Sequence, residues 1–176
     1  MLRTRLRSAA VILAALAAAS AASAGPQYVD GTGYAVSGYD VVAYFDLDQA
    51  PQGQSQPAPV KGRAAITARH NGAVFAFASE ANRDRFLADP ERYAPQYDGH
   101  CAYGVAQGGK VPGNPELWRI EDGKLYLNIT RRIARKWERD IPGYLAEASE
   151  RWEGLDPQPA SADPIPRFDS TAPLTE

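Results

Sequence analysis

The chain has 176 residues and a formal net charge of −2, with 44% hydrophobic and 23% charged residues, one Cys and two His. That length suits one compact domain with tails, and the slight acidity argues against a nucleic-acid or anionic-membrane surface. A single Cys excludes an internal disulfide framework and any multi-Cys zinc or iron–sulfur site, and Met1 as the only Met excludes a Met-rich copper(I) site.

Residues 1–24 have the order of a secretory signal peptide. Arg3, Arg5 and Arg7 precede the apolar run Ala9 to Ala19, and Ala22-Ser23-Ala24 supplies the small residues a signal peptidase requires. The run is too short and too alanine-rich for the roughly 20 residues of a membrane span. No Cys stands at the cleavage position and no Arg-Arg pair precedes the run, which argues against a lipoprotein and a twin-arginine route. The pattern predicts Sec-type export to the periplasm or beyond, cleavage after Ala24, and no stable membrane anchor.

Residues 25–35 are glycine-containing and predict a flexible lead-in to a domain over 36–154. Asp40 to Phe45 is apolar, β-branched and aromatic, which predicts a buried strand or the entry to one. Gln49 to Pro59 holds three prolines and four glutamines and predicts a solvated connection. Asn71-Gly72 then predicts a two-residue type I′ turn. Pairing His70 with Ala73 places Ile66, Ala68, Phe75 and Phe77 on one face. A helix follows, with Ser79 as its cap and Phe86 and Leu87 facing inward, and Asp89-Pro90 stops it and starts a short second one.

A second hairpin turns at Asp122-Gly123. Pairing Glu121 with Lys124 places Trp118, Ile120, Leu125 and Leu127 on one face, with Arg119, Glu121, Lys124 and Tyr126 on the other. Ile133, Ala134 and Trp137 recur at helical spacing, as do Ile141, Tyr144, Leu145, Ala148 and Trp152 behind a capping Asp140. Residues 155–176 are proline-rich with few large apolar side chains and predict a disordered tail. The whole predicts an α+β domain of small antiparallel hairpins and short helices.

The densest polar cluster is Asp98, His100 and Cys101, whose donors span hard to soft and favour copper or zinc over calcium or magnesium. In an extended segment Cys101 points away from the other two, so a full metal site needs ligands from elsewhere, such as His70, Asp40 or Glu80. A buried structural thiol is the competing expectation for Cys101. Nucleophilic catalysis by it requires a base within reach, and the neighbouring His100 cannot easily fold back onto it. Asp40 and Tyr44 lie in an apolar segment, where a buried Asp must be paired. They contact a small ligand or, in Asp40's case, cap a turn. Tyr97, beside the polar cluster, is the third candidate ligand contact.

Several motifs in order resemble the exported bacterial proteins of the YHS-domain family. They are Gly38-Tyr-Asp-Val-Val-Ala-Tyr-Phe45, Ala73-Val-Phe-Ala-Phe-Ala-Ser-Glu80, Phe86 to Tyr97 with its Asp-Pro-Glu-Arg-Tyr, Cys101-Ala-Tyr-Gly-Val105 and Lys124-Leu-Tyr-Leu-Asn128. The resemblance spans about Val36 to Trp152. It implies a hairpin-plus-helix module related to heavy-metal-associated TRASH-type domains, whose metal-transport relatives carry paired cysteines before the hairpin. This chain has none there, and Asp98 and His100 stand where Gly and an aromatic residue are more usual in the exported group. Three functions compete: a non-enzymatic module binding a metal ion or small ligand, a structural or protein-interaction module, and an enzyme using Cys101 or Asp40.

Overall fold

The computed structural model describes residues 25–175, so the expected leader lies outside the described residues. Asn71-Gly72 and Asp122-Gly123 all take left-handed backbone conformations, with φ of 45°, 76°, 50° and 71°. A type I′ turn requires this, because its twist matches that of the flanking strands. The first turn folds β1 (Arg63–His70) onto β2 (Ala73–Phe77) and the second folds β3 (Asn114–Glu121) onto β4 (Lys124–Asn128). Each pair is a separate antiparallel two-stranded sheet, and His70 pairs with Ala73 and Glu121 with Lys124 as the turn chemistry predicts.

Further from each turn the expected registers break. The pairing slips between Arg63 and Thr67, so Phe77 stands opposite Arg63 and not Ile66. The second hairpin slips in the same place, between Asn114 and Trp118. Such bulges add twist and let a short hairpin curl around a core. The polar face of the second hairpin also departs from expectation. Arg119 and Tyr126 are buried, because the end of α4 (Arg131–Trp137) covers them. Trp137 packs on Tyr126, and Arg119 forms ion pairs with Glu121 at 2.7 Å and Glu138 at 3.2 Å.

Side-chain caps start the helices where the sequence places them. Ser79 accepts from the Asn82 N–H ahead of α1 (Glu80–Ala88), and Asp89 accepts from Arg92 N–H ahead of α2 (Pro90–Tyr93). Thr130 accepts from Ile133 N–H ahead of α4, and Asp140 from Gly143 N–H ahead of α5 (Ile141–Leu155). Phe86 is buried, but Leu87, expected to face inward, is 55% exposed. Nine residues of α1 present too narrow a buried stripe to take both neighbours. Asp40 to Phe45 is a turn running into a short 3-10 segment, Ala43–Asp46, and not a strand. Asp40 Oδ1 accepts from the N–H groups of Val42 and Ala43, which closes the backbone locally before a strand can form.

The two halves repeat one plan. Val36, Ser37 and Gly38 form a left-handed turn, and so do Tyr97, Asp98 and Gly99. After the first, Asp40 N donates to Val60 O and Gly62 N to Gly38 O, both at 2.9 Å. After the second, Cys101 N donates to Val111 O at 2.9 Å and Gly113 N to Gly99 O at 3.0 Å. Each half then continues through a bulged hairpin, a Ser- or Thr-capped helix and an Asp-capped helix. The insertion of α3 (Ala102–Ala106) in the second half matches the 3-10 segment of the first. The main core spans both halves: Val41, Val42 and Tyr44 meet Phe75, Phe77 and Phe86 from the first hairpin unit and Trp118, Leu125 and Leu127 from the second. On the other side of the second hairpin, α3 packs against α5 through Val105, Ala106, Ala148 and Leu155.

Both ends expected to be loose lie on this body. In the lead-in, Gln27 and Tyr28 are buried and Val29 bridges Ala35. In the tail, Ile165 and Ala172 are buried. Leu174 continues the edge of β1, donating to Gly62 O at 2.7 Å and accepting from Ala64 N at 2.9 Å. The tail thus gains order from backbone pairing to a strand edge, which composition does not register. Among the described residues no helix is long and apolar enough to cross a membrane. Ending the chain after Leu155 should therefore lower stability by at least about 2 kcal/mol, since Ile165, Ala172 and an edge pairing are lost together. Urea denaturation of the truncated chain checks this, and an unchanged midpoint would contradict the packed tail.

Candidate functional site

The structure sends Asp98, His100 and Cys101 in three directions. His100 is fully buried. Its Nδ1 lies 2.8 Å from Tyr97 O and its Nε2 accepts from Ser161 N–H at 3.1 Å. A carbonyl on one nitrogen and an N–H on the other fix the neutral ring with its hydrogen on Nδ1, and both nitrogens are occupied. Burial pushes the imidazole pKa down to about 4, with the Lys110 charge adding to the effect and the Tyr97 carbonyl opposing it.

Cys101 is buried as the cap of α3. Its Sγ accepts from Gly104 N–H at 3.3 Å and donates to Asn128 Oδ1 at 3.5 Å. Burial pushes the thiol up to about 11, so it stays protonated at neutral pH. The neighbouring His100 does not serve it as a base, because that ring bonds to Tyr97 and to Ser161 of the tail. Among the described residues no three His, Cys, Asp or Glu side chains stand close enough together to hold a metal ion. The copper or zinc cluster expected from adjacency in sequence is thus not assembled by these three residues.

Asp40 and Tyr44 also serve the frame. Asp40 Oδ1 holds its own turn, while Oδ2 accepts from Ala78 N at 2.8 Å and Asn82 Nδ2 at 2.7 Å. Tyr44 donates its hydroxyl to Pro115 O at 3.0 Å and meets Trp118 edge to face. Both of these expected ligand contacts are buried.

Tyr97 and Asp98 line a cleft of about 290 Å³ with Gln27, His70, Asn71, Trp152 and Asp156. The left-handed turn at Tyr97–Gly99 lifts both side chains onto this surface. The Tyr97 ring packs edge to face on Trp152 at 5.2 Å, and Lys110 sits over the same indole at 5.1 Å. Asp98 Oδ1 accepts from Asn71 Nδ2 at 2.8 Å, whereas its Oδ2 is buried without a donor. The Gln27 Nε2 amide is buried without an acceptor. Burial, then the neighbouring Asp156 carboxylate, raises the Asp98 pKa to about 6 against the opposing pull of Lys110. The cleft therefore has an aromatic wall and, just beneath its surface, a donor and an acceptor without hydrogen-bond partners.

Sequence reasoning named Tyr97 and Asp98 as candidates and did not name Gln27, Asn71, Trp152 or Asp156, which line the same cleft. Asn71 was visible as a turn residue, but its side-chain amide serves the site. Asp156 fell in the segment expected to be disordered. Comparison with protein-family models, with curated proteins and with solved structures finds no match.

The His100 environment has a pH consequence. A folded pKa near 4 against the ordinary 6.5 means the unfolded chain binds the extra proton first, so the stability tied to the neutral ring falls as pH drops from about 6.5 toward 4. The raised Asp98 pKa works in the opposite sense over an overlapping window. NMR titration separates the two: the His100 ring should remain neutral at pH 5 with its hydrogen on Nδ1. Protonation of that ring near pH 6.5 would contradict the buried geometry.

Proposed function

We propose that this is an exported, non-enzymatic module that binds a small polar molecule in the cleft around Tyr97 and Asp98, after removal of residues 1–24. The observation that carries the reading is the unpaired Asp98 Oδ2 and Gln27 Nε2 in one cleft, beside the Tyr97 and Trp152 rings. A buried polar group without a partner costs roughly 1–3 kcal/mol, and a ligand that supplies one donor and one acceptor recovers it. The aromatic wall suits a molecule with one flat apolar face, and the volume suits a single ring of the size of a monosaccharide or a heterocyclic amide.

Support for the other readings is weaker. Cys101 and Asp40, the two candidate reactive groups, are fully buried and hold backbone N–H groups, which weakens the enzyme reading built on them. The metal reading loses its donors to the hydrogen bonds of His100 and Cys101. The large hydrophobic side chains exposed among the described residues are Val29, Leu87 and Leu174. Val29 already bridges Ala35 and Leu174 bridges Arg63 of β1, so they make a poor docking face.

A series of monosaccharides and heterocyclic amides, titrated while the amide and indole N–H resonances are followed by NMR, tests the reading. Binding should perturb the Trp152 indole and the Gln27 and Asn71 side-chain amides, and Asp98→Ala should weaken it at least tenfold. Perturbations elsewhere, or unchanged binding in Asp98→Ala, would move the site away from this cleft.

A further inference from the structure

Gly25 sits at the rim of this cleft in a fitted seat. Its nitrogen donates to Asp156 Oδ1 at 2.6 Å, and its carbonyl accepts from Asn71 Nδ2 at 2.8 Å. The same Asn71 amide reaches Asp98 Oδ1, so one side chain ties residue 25 to both acids' surroundings. Gly25 is buried, and a Cβ there would collide with the Asp156 carbonyl oxygen, so the seat takes glycine alone.

The charges around the seat do not balance. Asp98 and Asp156 line the same cleft, and the Asp156 charge helps to raise the Asp98 pKa. The nearby cation is Lys110, whose Nζ donates to the backbone carbonyls of Asp156 and Gln158 at 3.1 and 2.9 Å and to neither carboxylate. His70 and Glu91, further along the cleft, face each other at 3.4 Å. Two acids against one ammonium leave the pocket short of one positive charge.

The leader pattern places the scissile bond between Ala24 and Gly25. Hydrolysis there adds water across the amide, so that Ala24 departs with a carboxylate and the Gly25 nitrogen takes up protons to become an ammonium. We propose that this new α-ammonium docks on Asp156 as an ion pair, completing the charge balance of the cleft and pinning the mature N-terminus to the C-terminal segment. Before cleavage the same nitrogen is a neutral amide and can offer only one hydrogen bond. Afterwards its charge offsets that of Asp156, which otherwise raises the Asp98 pKa, and so favours Asp98 ionised as an acceptor. The inference rests on the export reading for the site of cleavage, but the docking is testable on a chain made to begin at Gly25.

The experiment compares residues 25–176 with a free α-amine, made by removal of an initiator Met before Gly25, with the same chain Nα-acetylated. Acetylation keeps one N–H toward Asp156, as in the uncleaved peptide bond, and removes the charge. The free-amine form should melt at least about 3 °C higher at pH 7. Its α-amine should titrate at least one unit above the ordinary value of about 7.7–8.0, and Asp156→Asn should abolish the melting difference. Equal melting temperatures with an ordinary amine titration would overturn the docking, and these two readouts stand even where Asp156→Asn does not fold. N-terminal sequencing of exported protein tests the other half: a start at Gly25 supports the assignment, and any other start overturns the cleavage site and the cellular use of the seat.

Discussion

Asp40 has no solvent exposure, and its carboxyl group accepts four hydrogen bonds, from Val42 N, Ala43 N, Ala78 N and Asn82 Nδ2. A buried acid is tolerated only when such donors offset its lost hydration. Here the donors come from two places far apart in sequence: the turn that follows the left-handed segment and the corner between β2 and α1. The single side chain therefore fixes how the chain enters the hairpin unit and how it leaves. It also aims Val41, Val42 and Tyr44 into the core, where Tyr44 reaches across to Trp118 and Pro115 of the second half.

Cys101 occupies the corresponding place in the second half. It follows the second left-handed turn, caps the next helical segment through Gly104 N–H, and bonds to Asn128 at the end of β4. A thiol is a weaker acceptor than a carboxylate, and this half is braced instead by α5 and by the tail. The tail's Ser161 N–H ends on His100, the residue between the turn and Cys101. The seam between the halves is where the first hairpin's turn, the second left-handed turn and the end of α5 converge. The cleft forms there, because polar turn atoms from three segments meet without enough partners to satisfy one another.

The sequence made the local elements readable: both type I′ turns, the caps Ser79, Asp89 and Asp140, and the inward face of Phe75 and Phe86 follow from residue type and spacing. The repetition was partly visible, as two hairpin–helix runs, but the bulges that curl both hairpins leave no mark in the alternation of side chains. Asp40 read equally well as a cap or a ligand contact, since only the approach of Ala78 and Asn82 decides it. His100 and Cys101 looked chemical because they are rare and adjacent. Adjacency in an extended backbone sends neighbours to opposite sides, and burial then removed both from chemistry. The tail was misjudged because its order comes from pairing with the edge of β1 and from two buried side chains in an otherwise polar segment.

The account turns on Asp40 as the acceptor that joins turn to hairpin, and equilibrium denaturation of Asp40→Ala tests that most directly. Removing the carboxyl strands the Val42 and Ala78 N–H groups and the Asn82 amide, while Ala43 N–H keeps the Asp40 carbonyl at 3.2 Å, so the loss should be on the order of 3–5 kcal/mol. Asp40→Asn, which keeps one acceptor oxygen, should lose clearly less. If Asp40→Ala unfolds at the same denaturant concentration as the parent chain, the carboxyl does not organise the fold, and the account built on it fails.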